Sequence, residues 1–361
     1  MTTANVTAQR PVTAASPGAT SPPAEQVVND ILQGAWKARA VHVAVELGIP
    51  DLVAKGPVGS VELAEAVGAH QPSLRKLLRL LATVGVLADV SGPPARDGDL
   101  VVGPTELSEV LRANPTGVVA TDARFQATMW HWRAWGHLEH SIRTGEQAFE
   151  PANGRTFWEL TRSDEDAAAR FNAAMGSVSL RESEQILQLY DFRGSRHVVD
   201  VGGGVGSLLS ALLRSSPDTR GTLLERPSVA ERAEQEFAAR GLADRVQVIG
   251  GDFHQTIPAG ADTYVIKHVL HDWADADVVR ILRLVRDAMT ADSRLLIIDN
   301  IVDENATADT LFVDLLMLVL VGGGDRSEQE FTGLARQAGL AVQRSAPAGP
   351  GALRFLECRQ V

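Results

Sequence analysis

The stretch His197-Val-Val-Asp-Val-Gly-Gly-Gly-Val-Gly-Ser207 decides the fold. Its first half is a short apolar run with one acid, the texture of a strand buried on both faces. Its second half sets Gly202, Gly203, Gly204 and Gly206 directly ahead of a helical stretch, Ser207–Arg214. Glycines at a strand-to-helix turn let the backbone approach a ligand at the helix N-terminus, on the carboxyl edge of a sheet. Two familiar glycine loops do not fit. A dinucleotide fingerprint needs glycine where Ser207 stands, and no lysine follows as in a phosphate-binding P-loop.

Outward from this turn, short apolar runs alternate with helical ones. Gly221–Glu225, Val246–Ile249, Asp262–Lys267 and Arg294–Asp299 read as strands. Val229–Arg240, Ala276–Met289 and Thr310–Leu320 read as helices, the last of them buried. This alternation predicts an α/β fold with a parallel sheet covered on both faces. Val342–Pro347 and Leu353–Arg359 flank Gly349-Pro350-Gly351, which predicts an antiparallel hairpin finishing the sheet. Successive strands end in polar residues behind the glycine loop. Glu225 is placed to accept both hydroxyls of a ribose. Asp252, in Gly250-Gly-Asp-Phe253, can accept from an adenine amino group, with Phe253 against the ring. Lys267 ends the next strand. Together these describe a nucleoside pocket.

Lys267-His-Val-Leu-His-Asp-Trp273 follows. His271 falls just past a strand end, where an imidazole can take a proton near neutral pH. Asp272 and Asp275 suit the cap of the next helix. Asp299, or Asp325 in Gly322-Gly-Gly-Asp-Arg326, can orient that imidazole. His254 and His268 are read as structural.

The N-terminal half has a different texture. Residues 1–25, rich in Thr, Ala, Ser and Pro, cannot bury enough surface to order and are expected to be a disordered tail. They lack the apolar centre of a signal peptide. A helix over Val27–Leu47 is apolar on more than one face, which predicts burial in a homodimer. Two short helices from Ser60, the first read as capped by that serine, and a loop-rich hairpin over Leu87–Val102, with Gly92-Pro93-Pro94, suggest a winged helix. The chain carries a net charge of -11 and a pI near 5.3, so the winged unit is read as scaffold, not as a nucleic-acid reader. Residues 116–190 read as helical and hold Trp130, Trp132, Trp135 and Trp158, a cluster able to wall an aromatic-ligand pocket. The lone cysteine, Cys358, excludes a disulfide framework and fits the cytoplasm. No run is long enough for a membrane span.

The glycine loop, Gly250-Gly-Asp-Phe253, His268-Val-Leu-His-Asp-Trp273 and Gly323-Gly-Asp-Arg326 together resemble the S-adenosylmethionine-dependent O-methyltransferases of plant caffeate and bacterial antibiotic-tailoring type. The resemblance covers about residues 27–359. It implies a Rossmann-like seven-stranded methyltransferase domain over 191–361, an all-α, winged-helix-like dimerisation domain over 26–115, and a helical substrate-pocket region over 116–190. It implies S-adenosylmethionine without a metal. The Gly202 loop would contact its methionine part, Glu225 its ribose, and Asp252, Phe253 and Trp273 its adenine. Lys267 would sit near the sulfonium or the adenine. His271 would be the base, flanked by Asp299 and Asp325. Plant relatives usually carry Asp at the ribose position and Glu at the flanking ones, so reach differs here by one methylene. Position and resemblance name Trp130, Trp135, Phe157, Phe171, Asn172, Met175, Asp272 and Leu316 as the substrate side. The expected reaction is methylation of a hydroxyl on a small aromatic molecule in antibiotic or other secondary metabolism. The rivals are a hydroxylase on the same scaffold, a ligand-sensing winged-helix regulator and an NAD(P) oxidoreductase.

Overall fold

The computed structural model describes residues 22–92, 99–114, 117–349 and 351–361. Most of the expected tail lies outside these residues, as do Pro93 and Pro94 of the wing and Pro350 of the C-terminal turn. The N-terminal region opens with α1 (Ala24–Glu46), whose last turns bury Ala40, His42, Ala44 and Val45. There follow α2 (Ile49–Val53), β1 (Val58–Gly59), α3 (Ser60–Ala66), α4 (Gln71–Thr83), β2 (Ala88–Asp89), β3 (Val101–Gly103) and α5 (Glu106–Val110). Leu74, Leu78 and Leu81 recur at helical spacing on α4 and are its buried face. This region is not helical alone. β2 pairs antiparallel with β3, and β1 joins on the far side to make a small three-stranded sheet, the wing's base. Ser60 does not cap α3; Gly59 holds that position, and the Ser60 hydroxyl donates to Asp99.

The middle region is helical: α6 (Val118–Gln126), α7 (Met129–Gly136), α8 (Leu138–Thr144), α9 (Phe149–Asn153), α10 (Phe157–Ser163) and α11 (Glu165–Leu189). Gly145 and Gly154 end α8 and α9 in the left-handed conformation that glycine tolerates. Asp164 caps α11 by accepting from the Ala167 amide. This long helix runs from the aromatic cluster to the sheet.

The remainder alternates as expected: β4 (His197–Val201), α12 (Ser207–Ser215), β5 (Arg220–Glu225), α13 (Pro227–Ala239), β6 (Val246–Gly250), β7 (Thr263–Lys267), α14 (Asp275–Ala288), β8 (Arg294–Asn300), α15 (Ala308–Val321), α16 (Glu328–Gln337), β9 (Leu340–Pro347) and β10 (Leu353–Gln360). The seven strands lie in the order β6-β5-β4-β7-β8-β10-β9. The first five are parallel; β10 runs antiparallel between β8 and β9. Strand order reverses between β4 and β7, which opens a crevice above their carboxyl ends. Leu295, Leu296, Ile297 and Ile298 of β8 are each at most 1% exposed, and burying each such side chain contributes roughly 1.5–3 kcal/mol. α15 departs from its expected burial. Val319 and Leu320, in its last turn, reach the core, while Leu311 and Phe312, in its first turns, are 48% and 44% exposed.

Candidate active site

The crevice is built from strand ends. β4 delivers the chain to Gly202, Gly204 and Gly206, all in the left-handed region with φ of 71°, 60° and 75°. A Cβ on Gly202 would lie 2.8 Å from Val269 Cγ2 and 3.6 Å from the Phe253 ring. A Cβ on Gly203 would collide with the Asp200 carboxylate. The backbone thus fills the space that side chains would take, leaving its amides as the lining. Glu225 ends β5, is 7% exposed, and accepts from the Gly204 and Arg226 amides at 3.3 and 2.8 Å. Asp252 follows β6 on the exposed side and accepts from the His254 amide and the Gln255 amide group, both at 2.9 Å.

Trp273 lies beside these residues. Its ring stands edge-on to Phe253 at 6.2 Å and to His254 at 4.2 Å, and faces Trp158 at 6.0 Å with a 13° tilt. The Trp273 indole N–H is buried without a partner. The Arg226 guanidinium lies over the Trp158 ring, 5.4 Å from its centre. A glycine cradle, a strand-end carboxylate, aromatic faces and an orphaned donor are the fittings of an adenosyl group with an amino-acid tail.

Next to the cradle, β7 runs into a single turn of helix, Leu270–Asp272, that carries His271. The ring is nearly enclosed. Nδ1 lies 3.0 Å from Asp299 Oδ1, at the end of β8, and 3.0 Å from Asp325 Oδ1. Both acids therefore flank the same nitrogen. Nε2 is left facing Asp272, 3.8 Å away. Burial alone would lower the basicity of His271, but the Asp299 charge and the hydrogen bonds that the ring donates to both acids outweigh it and raise the pKa well above 6.5. Burial pushes the Asp272 carboxyl up to about 6, against the pull of His271. For Asp299 the balance goes the other way: desolvation opposes ionisation, but His271 and His268 hold its carboxyl far below the usual range.

The motif Gly322-Gly-Gly-Asp-Arg326 fixes this turn. A Cβ on Gly323 would fall on the His271 carbonyl oxygen, and the Gly324 amide donates to that oxygen at 2.8 Å. The Asp325 amide donates to Asp314 at 2.9 Å. Arg326, 8% exposed, donates to the carbonyls of Leu270 at 3.0 Å and Trp273 at 2.7 Å and to Asp275 at 2.9 Å. Ala274, not Asp272 or Asp275, holds the cap position of α14, and Asp275 in the first turn instead holds Arg326.

Two residues have places the sequence did not suggest. His268 belongs to the charge network and not to the core: Nε2 lies 3.2 and 3.0 Å from the two oxygens of Glu182, and Nδ1 lies 3.4 Å from Asp299. Lys267 donates to Glu182 at 3.0 Å. Glu182 comes from α11 and carried no local signal. The ligand-capable atoms of His268, His271 and Asp299 lie within 4.8 Å of one another, a spacing that their mutual pairing explains without a bound ion.

On the proposed substrate side, Trp130, Trp135, Phe171 and Leu316 pack into one aromatic cluster around Phe125, Phe149 and Phe157. Phe157 is 2% exposed and ringed by Phe125, Trp130, Phe149, Trp158 and Phe171, so it packs as core and not as an open wall. Trp135 stacks flat on Phe312 at 5.5 Å and 5°. Trp132 instead donates to His42 of α1 at 3.3 Å. Asn172 is half-buried on α11, whereas Met175 is 44% exposed.

Residues 135–341 match the model of an O-methyltransferase domain, and residues 29–114 that of an O-methyltransferase dimerisation domain. The chain is 58% identical over 337 residues to a mitomycin biosynthesis 6-O-methyltransferase of Streptomyces lavendulae, covering 93% of this chain and 95% of that one. The structure of the mitomycin 7-O-methyltransferase MmcR superimposes with a TM-score of 0.91 at 58% identity, over 94% of this chain and 98% of that one. An O-methyltransferase from neocarzinostatin biosynthesis, solved with S-adenosylmethionine and 2-hydroxy-5-methyl naphthoic acid, gives a TM-score of 0.78 at 37% identity, over 90% and 96% of the two chains.

Proposed function

This chain belongs to the S-adenosylmethionine-dependent O-methyltransferase family, and from that premise we propose that it methylates a hydroxyl of a fused aromatic or quinone natural product, with His271 as general base. The observation that carries the reading is His271, held through Nδ1 by two buried aspartates beside the glycine cradle. With Nδ1–H fixed by Asp299 and Asp325, Nε2 is the nitrogen free to take the substrate proton. The two carboxylates then stabilise the imidazolium that forms. S-adenosylmethionine supplies the electrophilic methyl group when bound. The loop amides at Gly202–Gly206 suit its amino-acid end, Glu225 its ribose hydroxyls, and Asp252, Phe253, Trp158 and Trp273 its adenine. Lys267, engaged by Glu182, acts through that pair and not as a free cation. Holding oxygen, carbon and sulfur in line supplies most of the acceleration, and the base adds roughly 10²–10⁴-fold.

The substrate class rests on the mitomycin and naphthoic acid relatives and on the aromatic cluster of Trp130, Trp135, Phe171 and Leu316. We assign the active form as a homodimer, because Val27, Val28, Ile31, Leu32 and Trp36 expose a continuous apolar stripe on α1 that runs into the matched dimerisation region. Among the described residues no helix is long and apolar enough to cross a membrane. That fact and the buried, unpaired Cys358 suit a cytoplasmic enzyme.

The test is incubation with S-adenosylmethionine and a panel of hydroxylated naphthoates, quinones and phenols, read by mass spectrometry. A gain of one methylene on a fused-ring hydroxyl supports the reading. Gain of an oxygen atom instead would make the protein a hydroxylase, and methylation of nitrogen alone would sink the assignment to oxygen.

A further inference from the structure

His268 is the unexplained member of the site. It is a non-glycine residue in the left-handed region, with φ of 51°, directly after β7. Such a conformation costs about 1 kcal/mol or more and persists where the surroundings impose it. The twist turns the His268 ring to lie nearly parallel to His271, with centres 5.3 Å apart and a 25° tilt. Both His268 nitrogens face carboxylates: Nε2 meets both oxygens of Glu182, and Nδ1 meets Asp299 at 3.4 Å. Carboxylates on both sides of the ring favour the doubly protonated imidazolium, with Nε2 bonded to Glu182 and Nδ1 in ion-pair range of Asp299. His268 is thus set up as a half-buried cation, and it shares Asp299 with the base.

The base has the opposite problem. Asp299 and Asp325 both sit 3.0 Å from its Nδ1, and Asp272 faces its Nε2. Three acids around one imidazole would lock it as the imidazolium, which cannot accept a proton. We propose that His268 is a positioning residue that sets a fixed positive charge against Asp299, and so keeps His271 able to lose and regain its proton at working pH. The charged groups facing His268 are Glu182 from α11, Lys267 from β7, Asp299 from β8 and His271 from the turn that follows. Burial disfavours its charge, but Glu182 and Asp299 prevail over that and over Lys267, so its pKa is raised. Glu182 thereby gains a role: held well ionised at about 2 against its own desolvation by His268 and Lys267, it anchors the cation. The inference rests on His271 being the base, and it is tested by a readout that does not need turnover.

The experiment is a histidine NMR titration of the full-length protein saturated with S-adenosylhomocysteine, beside the pH profile of kcat/KM. The variants are His268→Asn, which is neutral and tolerates the left-handed backbone, and His268→Arg, which keeps a cation. Removing a charge 5.3 Å from the His271 ring should raise the His271 pKa by about one to two units. The rising limb of kcat/KM in His268→Asn should move up equally, with a loss of about tenfold or more below the limb that closes at high pH. His268→Arg should return the limb towards its wild-type position. In Glu182→Gln, which leaves both rings in place, the His268 resonance should titrate at lower pH than in the wild type. An unmoved His271 titration in His268→Asn overturns the proposal, as does a loss that is uniform across pH. Equal profiles for the Asn and Arg variants would show that charge is not what matters. If His271→Ala retains full activity, the base assignment fails while the NMR result still decides the coupling.

Discussion

Gly323 gives the sharpest perturbation. Alanine at this position would place a methyl on the His271 carbonyl oxygen, 2.8 Å from the Asp272 carbonyl carbon and 3.0 Å from its Cα. All of these are backbone atoms, so no side chain can swing aside. An ordinary contact begins at 3.4 Å, so the turn carrying His271 and the Gly322–Arg326 loop must separate by on the order of 1 Å. The Gly324 amide bond to the same oxygen, 2.8 Å long, would go with it. Overpacking of this kind costs roughly 1–3 kcal/mol, and the lost bond about 1 more. The larger effect is on geometry, because a displacement of about 1 Å of a catalytic group lowers the rate about 10²-fold. Gly323→Ala should therefore lose about 10²-fold in kcat/KM while its calorimetric affinity for S-adenosylhomocysteine stays within a few-fold, since the cradle at Gly202–Gly206 is untouched. Gly333→Ala is the control: its Cβ would meet nothing within 4 Å, and it lies inside α16. That change should be silent in activity and stabilising by about 0.5–1 kcal/mol. Wild-type kcat/KM in Gly323→Ala would refute the reasoning. So would an equal collapse of cofactor affinity, which would mean that the strain spreads instead of acting on the base.

Three further outcomes follow from the same geometry. Because the Asp299 charge and the two aspartate hydrogen bonds raise the His271 pKa, kcat/KM should climb with pH and level only above 6.5; a plateau already reached at pH 6.5 would contradict the two-aspartate clamp. Arg326→Met strands the carbonyls of Leu270 and Trp273 and should lower stability by about 2–4 kcal/mol in urea unfolding, with an unchanged midpoint arguing that the turn holds itself. Ile31→Glu with Trp36→Glu charges a stripe in which both residues are 70% exposed in the single chain, and should convert the protein to a monomer by light scattering; a dimer that persists would place the interface elsewhere.

The sheet was readable because parallel strands buried on both faces must be short apolar runs, and their ends must turn polar where they reach the crevice. Glu225 and Asp299 each end such a run and His271 follows closely on the run that ends at Lys267, so position in the pattern already placed them at one edge. The choice between Asp299 and Asp325 had no answer in the sequence, since both are acids after glycines or strand ends; the structure sets both on Nδ1. Glu182 and Arg326 were opaque for a different reason. Glu182 meets Lys267 across 85 positions, and an acid on a helix surface looks the same whether it faces water or a buried cation. The tryptophan cluster was ambiguous from sequence. Aromatic density marks both a pocket and a packed core, and the contrast between Phe157, 2% exposed, and Met175, 44% exposed, is set by the fold and not by composition. The expected burial of α15 failed similarly, for apolarity without strong periodicity does not say which neighbour, if any, covers the helix.

The most direct test of the account is single-turnover methyl transfer by His271→Ala, measured with and without added imidazole. If His271 is the base, the variant loses roughly 10²–10⁴-fold, keeps its affinity for S-adenosylhomocysteine, and regains part of the rate as imidazole is added. A variant that transfers methyl at the wild-type rate would place the proton acceptor elsewhere and leave the Asp299–His271–Asp325 cluster a structural feature.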